Sequence, residues 1–195
     1  MKIIILFSGG VDSLLCYHLA KEAGHNITLL HMVYEHPARV EELRAVQRLA
    51  QGAYKVTQDL NLWSSELNNF QYQETGAPGP RVIVARNQVF LSHGVNAAAF
   101  FGAKEVWFGA NADDFEHYLD CRPDFITAFN ALGFMWGGTV KAPLIDMTKP
   151  EIMTALRRRL KSDTSSRLEH AWSCYTPRSG RPCGSCDSCK SDDRC

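Results

Sequence analysis

Ile3-Ile4-Ile5-Leu6-Phe7-Ser8-Gly9-Gly10-Val11-Asp12-Ser13-Leu14 is the stretch on which the fold turns. Ile3 to Phe7 is a continuous apolar run rich in isoleucine, the pattern of a strand buried on both faces and so of a parallel sheet. Ser8-Gly9-Gly10 ends that run at once. From Ser13 to Ala23 the apolar residues Leu14, Leu15, Tyr17, Leu19 and Ala20 recur with helical spacing, and Gly24 predicts a left-handed cap. Two adjacent glycines let backbone amides approach an anion, and the helix start adds the positive end of its dipole. The Ser8 and Ser13 hydroxyls suit phosphate oxygens, whereas Asp12 repels a bare phosphate and is better explained as a magnesium ligand. The bland alternative is a tight turn with a helix cap, which uses the same residue types.

Working outward, Asn26 to Val33 reads as a second strand, Pro37 to Gln51 as a helix with proline in its first turn, and Ala53 to Thr57 as a third strand. Arg86 to Phe101 predicts a helix, Glu105 to Phe108 a strand, and Pro123 to Phe134 and Lys149 to Lys161 two further helices. This alternation specifies an α/β fold, a mostly parallel twisted sheet with flanking helices. Asn68 to Pro80 is polar and rich in glycine and proline, a long loop of the kind that serves as a lid. Asn111 to Arg122 is a polar loop at the carboxyl end of a strand, the edge where open α/β sheets bind ligands. The 195 residues suit one domain over 1–195, without repeat or linker, closed by a cysteine-rich segment at about 172–195.

Hydrophobic residues at 45% and charged residues at 22% are an ordinary globular mixture. Lysine plus arginine equal aspartate plus glutamate at 21 each, so no overall field draws the chain to nucleic acid or to an anionic membrane, and a polynucleotide partner is disfavoured. The apolar run at the start is too short for a signal-peptide core or a bilayer span, which points to a cytoplasmic protein.

Four of the seven cysteines, Cys174, Cys183, Cys186 and Cys189, follow the spacing Cys-x8-Cys-x2-Cys-x2-Cys. Two-residue gaps fold consecutive thiolates onto one ion, and four sulfurs close a tetrahedral zinc shell with no open position, so the metal is expected to be structural. An iron-sulfur cluster is the rival and ordinary buried thiols the bland reading. Cys195 is a spare ligand, Cys16 a packing residue in the first helix, and Cys121 is ambiguous.

Phe7 to Ser13 resembles the Ser-Gly-Gly-x-Asp-Ser loop of the ATP pyrophosphatases. The resemblance implies an adenine nucleotide alpha-hydrolase-like fold that cleaves ATP between its α and β phosphates, with Phe7, Ser8, Gly9, Gly10, Val11, Asp12, Ser13 and Leu14 around Mg2+ and ATP. Trp172-Ser173-Cys174-Tyr175 and Cys183-Gly184-Ser185-Cys186-Asp187-Ser188-Cys189 look like the zinc segment of the 7-cyano-7-deazaguanine synthase family. Tyr118-Leu119-Asp120-Cys121-Arg122 resembles that family's Tyr-Pro-Asp-Cys-Arg stretch, and Gly109, Asn111, Asp114, Pro143, Leu144 and Lys149 fit the flanking segments. Val84 and Leu119 stand where the family carries proline, and the arginine-containing helix end expected after Cys189 is not matched.

That resemblance implies ATP-dependent conversion of 7-carboxy-7-deazaguanine and ammonia to 7-cyano-7-deazaguanine by a homodimer, with Asp12, Ser13, Asp120, Arg122 and Lys149 catalytic. Asp120 is expected to accept hydrogen bonds from a guanine-like edge, Arg122 to clamp a carboxylate or phosphate, and Tyr118 to stack on the base. Arg86 and Asn87 are expected to reach nucleotide or substrate. The bland alternatives are that Asp120 caps the helix starting near Pro123, Arg122 pairs with Asp124, Tyr118 packs in the core, and Lys149 begins a solvated helix face. His31 marks the adenine end of the site or is structural. Another amidating or tRNA-thiolating enzyme with the same loop is the alternative activity, and a non-catalytic zinc-ribbon module the alternative class.

Overall fold

The computed structural model describes residues 1–60, 83, 85–115, 117–132, 137–161 and 167–194. The loop expected over Asn68 to Pro80, and also Val84 and Cys195, lie outside them. Strands β1 (Lys2–Leu6), β2 (Asn26–Val33), β3 (Tyr54–Asp59), β4 (Glu105–Trp107) and β5 (Thr139–Lys141) form one sheet in the order β3-β2-β1-β4-β5, and every pairing is parallel. β1 is central, with Ile3 opposite Ile27 on one side and Glu105 on the other.

The isoleucine run explains that central place. Ile3 and Ile5 join Leu14, Leu15, Ile152 and Leu156 in one core cluster, while Ile4 faces the other way to meet Leu30, Leu91 and Val106. Alternate residues of a strand point to opposite faces, so only an uninterrupted apolar run buries both. Each of these side chains contributes about 1.5–3 kcal/mol on burial. Helices α1 (Val11–Glu22) and α2 (Arg39–Arg48) supply the first cluster, and α3 (Arg86–Phe101) the second. Gly94 lets α3 lie close to β4, since a Cβ there would stand 2.8 Å from Val106 Cγ1.

The second helix is shorter than the expected Pro37 to Gln51 at both ends. Ala38 is the N-cap, so Pro37 precedes the helix, and Leu49 turns extended at φ −89° and ψ 160°. Leu49 and Ala50 are fully buried, and drawing them into the core takes the chain off the helical path, with Ala50 left-handed at φ 48°. The third strand runs on to Asp59 because Met32 and Val33 pair with Gln58 and Asp59. The polar loop from Asn111 holds two short 3-10 turns, Ala112–Asp114 and Leu119–Cys121, before α4 (Pro123–Leu132). The free edge of β5 is covered by Asn130 of α4. Its side-chain amide donates to the Val140 carbonyl at 2.9 Å and accepts from the Val140 N–H at 2.8 Å, so this edge does not invite a further strand. α5 (Lys149–Leu160) starts at a capping box in which Glu151 accepts from both Thr148 N–H and Oγ1 at 2.8 Å, which sets Lys149 in its first turn. Among the described residues no helix is long and apolar enough to cross a membrane.

Candidate active site

The chain steps outward from β1 to β2 and β3, then returns to the other side of β1 as β4. The loops after β1 and β4 therefore diverge, and they open a crevice at their carboxyl ends. A cavity of about 600 Å³ occupies it. The glycine turn forms one wall. α1 starts at Val11, two residues earlier than the sequence suggested, so Gly10 is the N-cap and the free N–H groups of the first turn lie at the cavity. Ser8 Oγ accepts from Gly10 N at 3.2 Å and lies 3.3 Å from Ser13 Oγ, which donates to the Gly10 carbonyl at 3.0 Å. Both hydroxyls, Gly10, Asp12 and Phe7 line the cavity, whereas Val11 and Leu14 are core residues that anchor the loop from beneath. Gly9 has φ 82°, and a Cβ there would stand 2.8 Å from the Cβ of Ala45 and 3.0 Å from the Val46 N, so the turn is pressed against α2.

Across the crevice, the Lys149 ammonium donates to both Asp12 carboxylate oxygens, at 2.8 and 2.6 Å. Burial opposes its charge, but Asp12 outweighs this and holds the Lys149 pKa above the ordinary lysine value. Asn111 Nδ2 also donates to Asp12, at 3.5 Å, and the Lys149 N–H donates to Asp113 at 2.7 Å. Gly109 closes this contact, because a Cβ on it would stand 2.9 Å from Asp12 Cβ. Asp114 accepts from Asn111 N at 3.1 Å; burial and then the Asp12 charge push its carboxyl up to about 6. Lys149 is thus no solvated helix face.

A second polar group faces the same space. Arg86 Nη1 donates to Tyr34 Oη at 2.9 Å and its guanidinium lies over the Phe90 ring at 5.7 Å. Tyr34 stacks on His36 with ring centres 4.3 Å apart, and His36 Nε2 is 3.5 Å from Glu42 Oε2. Burial, with the Arg86 charge, lowers His36 to about 4, and burial raises Glu42 to about 7 against the pull of Arg86. Neither Tyr34, His36 nor Glu42 was picked out from the sequence as a site residue, since Glu42 sits inside a charged helix start that reads as a solvated face. Two signals were available for Tyr34 and His36, their position just past the carboxyl end of β2 and the place of Val33-Tyr34-Glu35-His36 where the family carries its second-strand loop Asp-Tyr-Gly-Gln-Arg-His. His31 is buried and its ring Nδ1 donates to the Phe7 carbonyl at 3.0 Å, with burial lowering its pKa, so a neutral imidazole braces the glycine turn while also lining the cavity.

The raised carboxyl of Glu42 has a consequence for stability. A folded pKa above the unfolded one contributes stability that is complete below about 4.5 and lost as pH rises through about 7. Above pH 7 the buried carboxylate is a cost, which Glu42→Gln removes. The variant is therefore expected to be more stable than the wild type at pH 8 by about 2 kcal/mol, or roughly 4–8 °C in Tm. The gap should close toward pH 5, where His36 weakens both proteins alike. Parallel melting curves at both pH values check this, and a gap independent of pH would refute it.

The structure places Asp120 and Arg122 differently from each other. Asp120 lines the cavity, but its Oδ2 accepts from Asn87 N at 2.9 Å, so it caps α3 and not the helix starting at Pro123. Arg122 is not among the cavity residues: its Nε donates to the Phe115 carbonyl at 2.8 Å and shapes the loop from behind. The backbone carbonyls of that loop need donors once water is excluded, and the guanidinium answers that need. Asn87 Nδ2 contacts Cys121 Sγ at 3.2 Å, and burial raises the Cys121 thiol, which makes it an inert part of the wall. Tyr118 lies in the cavity wall, hydrogen-bonded to Tyr175.

Cys174, Cys183, Cys186 and Cys189 come together with all four Sγ atoms within 4.8 Å of one another. A tetrahedral tetrathiolate zinc site needs sulfurs roughly 3.8 Å apart at the usual Zn–S length, so a small contraction would seat an ion. Thr176 Oγ1 and the Ser185 and Cys186 N–H groups donate to Cys183 Sγ at 3.4, 3.5 and 3.3 Å and lower its thiol to about 5, the state a metal ligand requires. This centre adjoins the cavity, which Trp172, Ser173, Tyr175, Thr176 and Ser188 line. The Trp172 N–H donates to the Gly9 carbonyl at 3.0 Å, so the tail grips the glycine turn.

Beyond Cys189 the chain finishes a short helix and then turns back on the segment before the cysteines. Helix α6 (Asp187–Ser191) leads to Arg194, whose guanidinium pairs with the buried Asp192 and donates to the Ala171 carbonyl and Ser173 Oγ, each at 3.1 Å. An arginine thus does close the tail, three residues past the helix.

A five-stranded parallel sheet with a Ser-Gly-Gly-Val-Asp-Ser turn at its switch point defines an adenine nucleotide alpha-hydrolase-like protein of the ATP pyrophosphatase class. The solved U34-tRNA thiolase NcsA from Methanococcus maripaludis, with its [4Fe-4S] cluster, shares this fold at a TM-score of 0.56, 14% identity, 88% of this chain and 63% of its own. Within that class, the family model described as "Queuosine biosynthesis protein QueC" matches residues 2–194, and the chain belongs to this family. It is 38% identical to the 7-cyano-7-deazaguanine synthase of Rhizorhabdus wittichii, over 97% of this chain and 88% of that one. It is 36% identical to the enzyme of the same name from a Cyanothece species, over 97% and 92%.

Proposed function

We propose that the chain is a cytoplasmic ATP-dependent carbon-nitrogen ligase, a homodimer, that converts 7-carboxy-7-deazaguanine and ammonia to 7-cyano-7-deazaguanine. The observation that carries this reading is one cavity in which the glycine turn and Asp12 face the Arg86, Tyr34, His36 and Glu42 group. Phosphate binding and recognition of a flat, hydrogen-bonding ring are thereby offered side by side. Relatives bearing that enzyme's name match almost the whole chain, which supports the same reading.

The first-turn N–H groups of α1 with Ser8 and Ser13 cradle the phosphates of ATP, and Lys149 offers its charge to the α-phosphate once Asp12 is otherwise engaged. Asp12, with Asp114 beside it, would hold Mg2+, which supplies charge neutralisation at the phosphates. The substrate carboxylate attacks the α-phosphorus, pyrophosphate leaves, and ammonia displaces AMP from the acyl carbon to give the amide. The amide oxygen then attacks the α-phosphorus of a second ATP with release of pyrophosphate, and departure of that oxygen as part of AMP, with loss of the two amide protons, leaves the nitrile. The four cysteines would hold Zn2+ as a structural ion, closing the wall formed by Trp172, Tyr175 and Thr176.

Incubation of zinc-loaded protein with 7-carboxy-7-deazaguanine, ammonium, Mg2+ and ATP, followed by mass spectrometry of the small molecules, tests the reading. The nitrile is the expected product. Untouched carboxylate with intact ATP binding would overturn it in favour of another acceptor or tRNA.

A further inference from the structure

Among the described residues four carboxyl groups line the cavity, and three of them accept a hydrogen bond from a protein N–H or ammonium group. Asp12 takes the Lys149 ammonium on both oxygens, Asp114 accepts from Asn111 N, and Asp120 accepts from Asn87 N. Glu42 differs. Its side chain is only 17% exposed, and among the described residues its closest ion-pair contact is His36 Nε2 at 3.5 Å. The positive charge of Arg86 acts on it from α3, while Arg86 itself donates to Tyr34. A desolvated carboxylate with spare acceptor capacity in a cavity wall costs free energy until a ligand brings donors.

The donors that suit it are a coplanar pair. Two carboxylate oxygens present a fork that matches a ring N–H and an adjacent exocyclic amino group, the arrangement on a guanine-type Watson–Crick edge. The corresponding edge of adenine places an acceptor beside its amino group, which a carboxylate repels, so the same fork would keep the base of ATP away. The stacked Tyr34–His36 pair and the Phe90 ring provide flat apolar surface nearby. Glu42 also sits one turn before Ala45 and Val46, the residues pressed against Gly9, so its position is tied to that of the phosphate loop.

We infer that Glu42 is the specificity residue for the purine-like substrate, its carboxylate accepting from the ring N1–H and the 2-amino group of the 7-deazaguanine. This rests on the proposed activity and reassigns to Glu42 a task that sequence resemblance had given to Asp120.

The test compares kcat/KM for 7-carboxy-7-deazaguanine with that for the analogue lacking the 2-amino group, in the wild type, Glu42→Gln and Glu42→Asp. The wild type is expected to prefer the parent by about tenfold or more, the discrimination of one paired hydrogen-bond contact. Glu42→Gln should lose that preference, through a fall confined to the parent, while the KM for ATP holds. Glu42→Asp, which withdraws the fork by one methylene, should shift the same ratio in the same direction and serves if the amide variant does not fold. Equal losses on both substrates would mean that Glu42 merely balances Arg86 and would overturn the assignment, as would an unchanged preference. A wild type that leaves both carboxylates untouched would overturn the functional reading and the assignment with it.

Discussion

Alanine at position 12 is expected to lower ATP-dependent turnover by on the order of 10³-fold, because on the proposed reading Asp12 would hold Mg2+ and several kcal/mol of charge stabilisation at the phosphates would be lost with it. The geometry adds a second loss. Lys149 has a side chain only 12% exposed and gives two hydrogen bonds to Asp12, so removing the carboxylate leaves a nearly buried cation without its counter-charge. Asp12→Ala should therefore be destabilised as well as inactive. Asp12→Asn, which keeps the shape and one acceptor, separates the two: it should retain most of the Tm and still lose turnover. Steady-state kinetics with a titration of Mg2+ against both variants checks this. A variant at position 12 that turns over within tenfold of wild type would remove Asp12 from the chemistry.

Loss of the cysteine centre is expected to be the next largest effect, and it should act on both structure and activity. Structural tetrathiolate zinc sites contribute apparent binding energies of about 10–16 kcal/mol to the segments they fold. The tail from 172 to 194 has few apolar side chains in the core and depends on such a tie. In Cys186→Ser, or after chelation, the metal content should fall to near zero and tail amides should exchange quickly, while the sheet keeps its circular dichroism. Turnover should fall at the same time, because Trp172 holds the Gly9 carbonyl and Tyr175 and Thr176 line the cavity. Metal analysis, hydrogen exchange and turnover on one preparation decide the matter. Full activity in metal-free protein would show that the wall stands without the ion. Iron with an absorbance of a cluster would replace zinc by the rival centre.

Local patterns carried most of the architecture. The run of isoleucines specified a doubly buried strand, and the glycine pair specified a turn that only a left-handed residue at Gly9 allows. The two-residue cysteine gaps anticipated a cluster that the fold brings within 4.8 Å. Boundaries were less legible. The second helix stops at Arg48 because Leu49 is drawn into the core, a demand made by packing and absent from the helical periodicity.

What the sequence by itself determined is therefore the α/β class, the glycine-rich turn and a cysteine cluster placed to bind a metal, because each is written in neighbouring residues, whereas the pairing of Lys149 with Asp12 spans 137 residues and came from the fold. The tertiary structure alone decided which carboxylates remain available to a ligand. Asp120 and Glu42 look alike in a sequence, yet Asp120 meets the free N–H of Asn87 across 33 residues, while Glu42 lines the cavity and has its closest ion-pair contact among the described residues to His36 at 3.5 Å. Hydrogen-bond satisfaction is settled by whichever donors the fold brings within about 3 Å, and those donors come from distant parts of the chain.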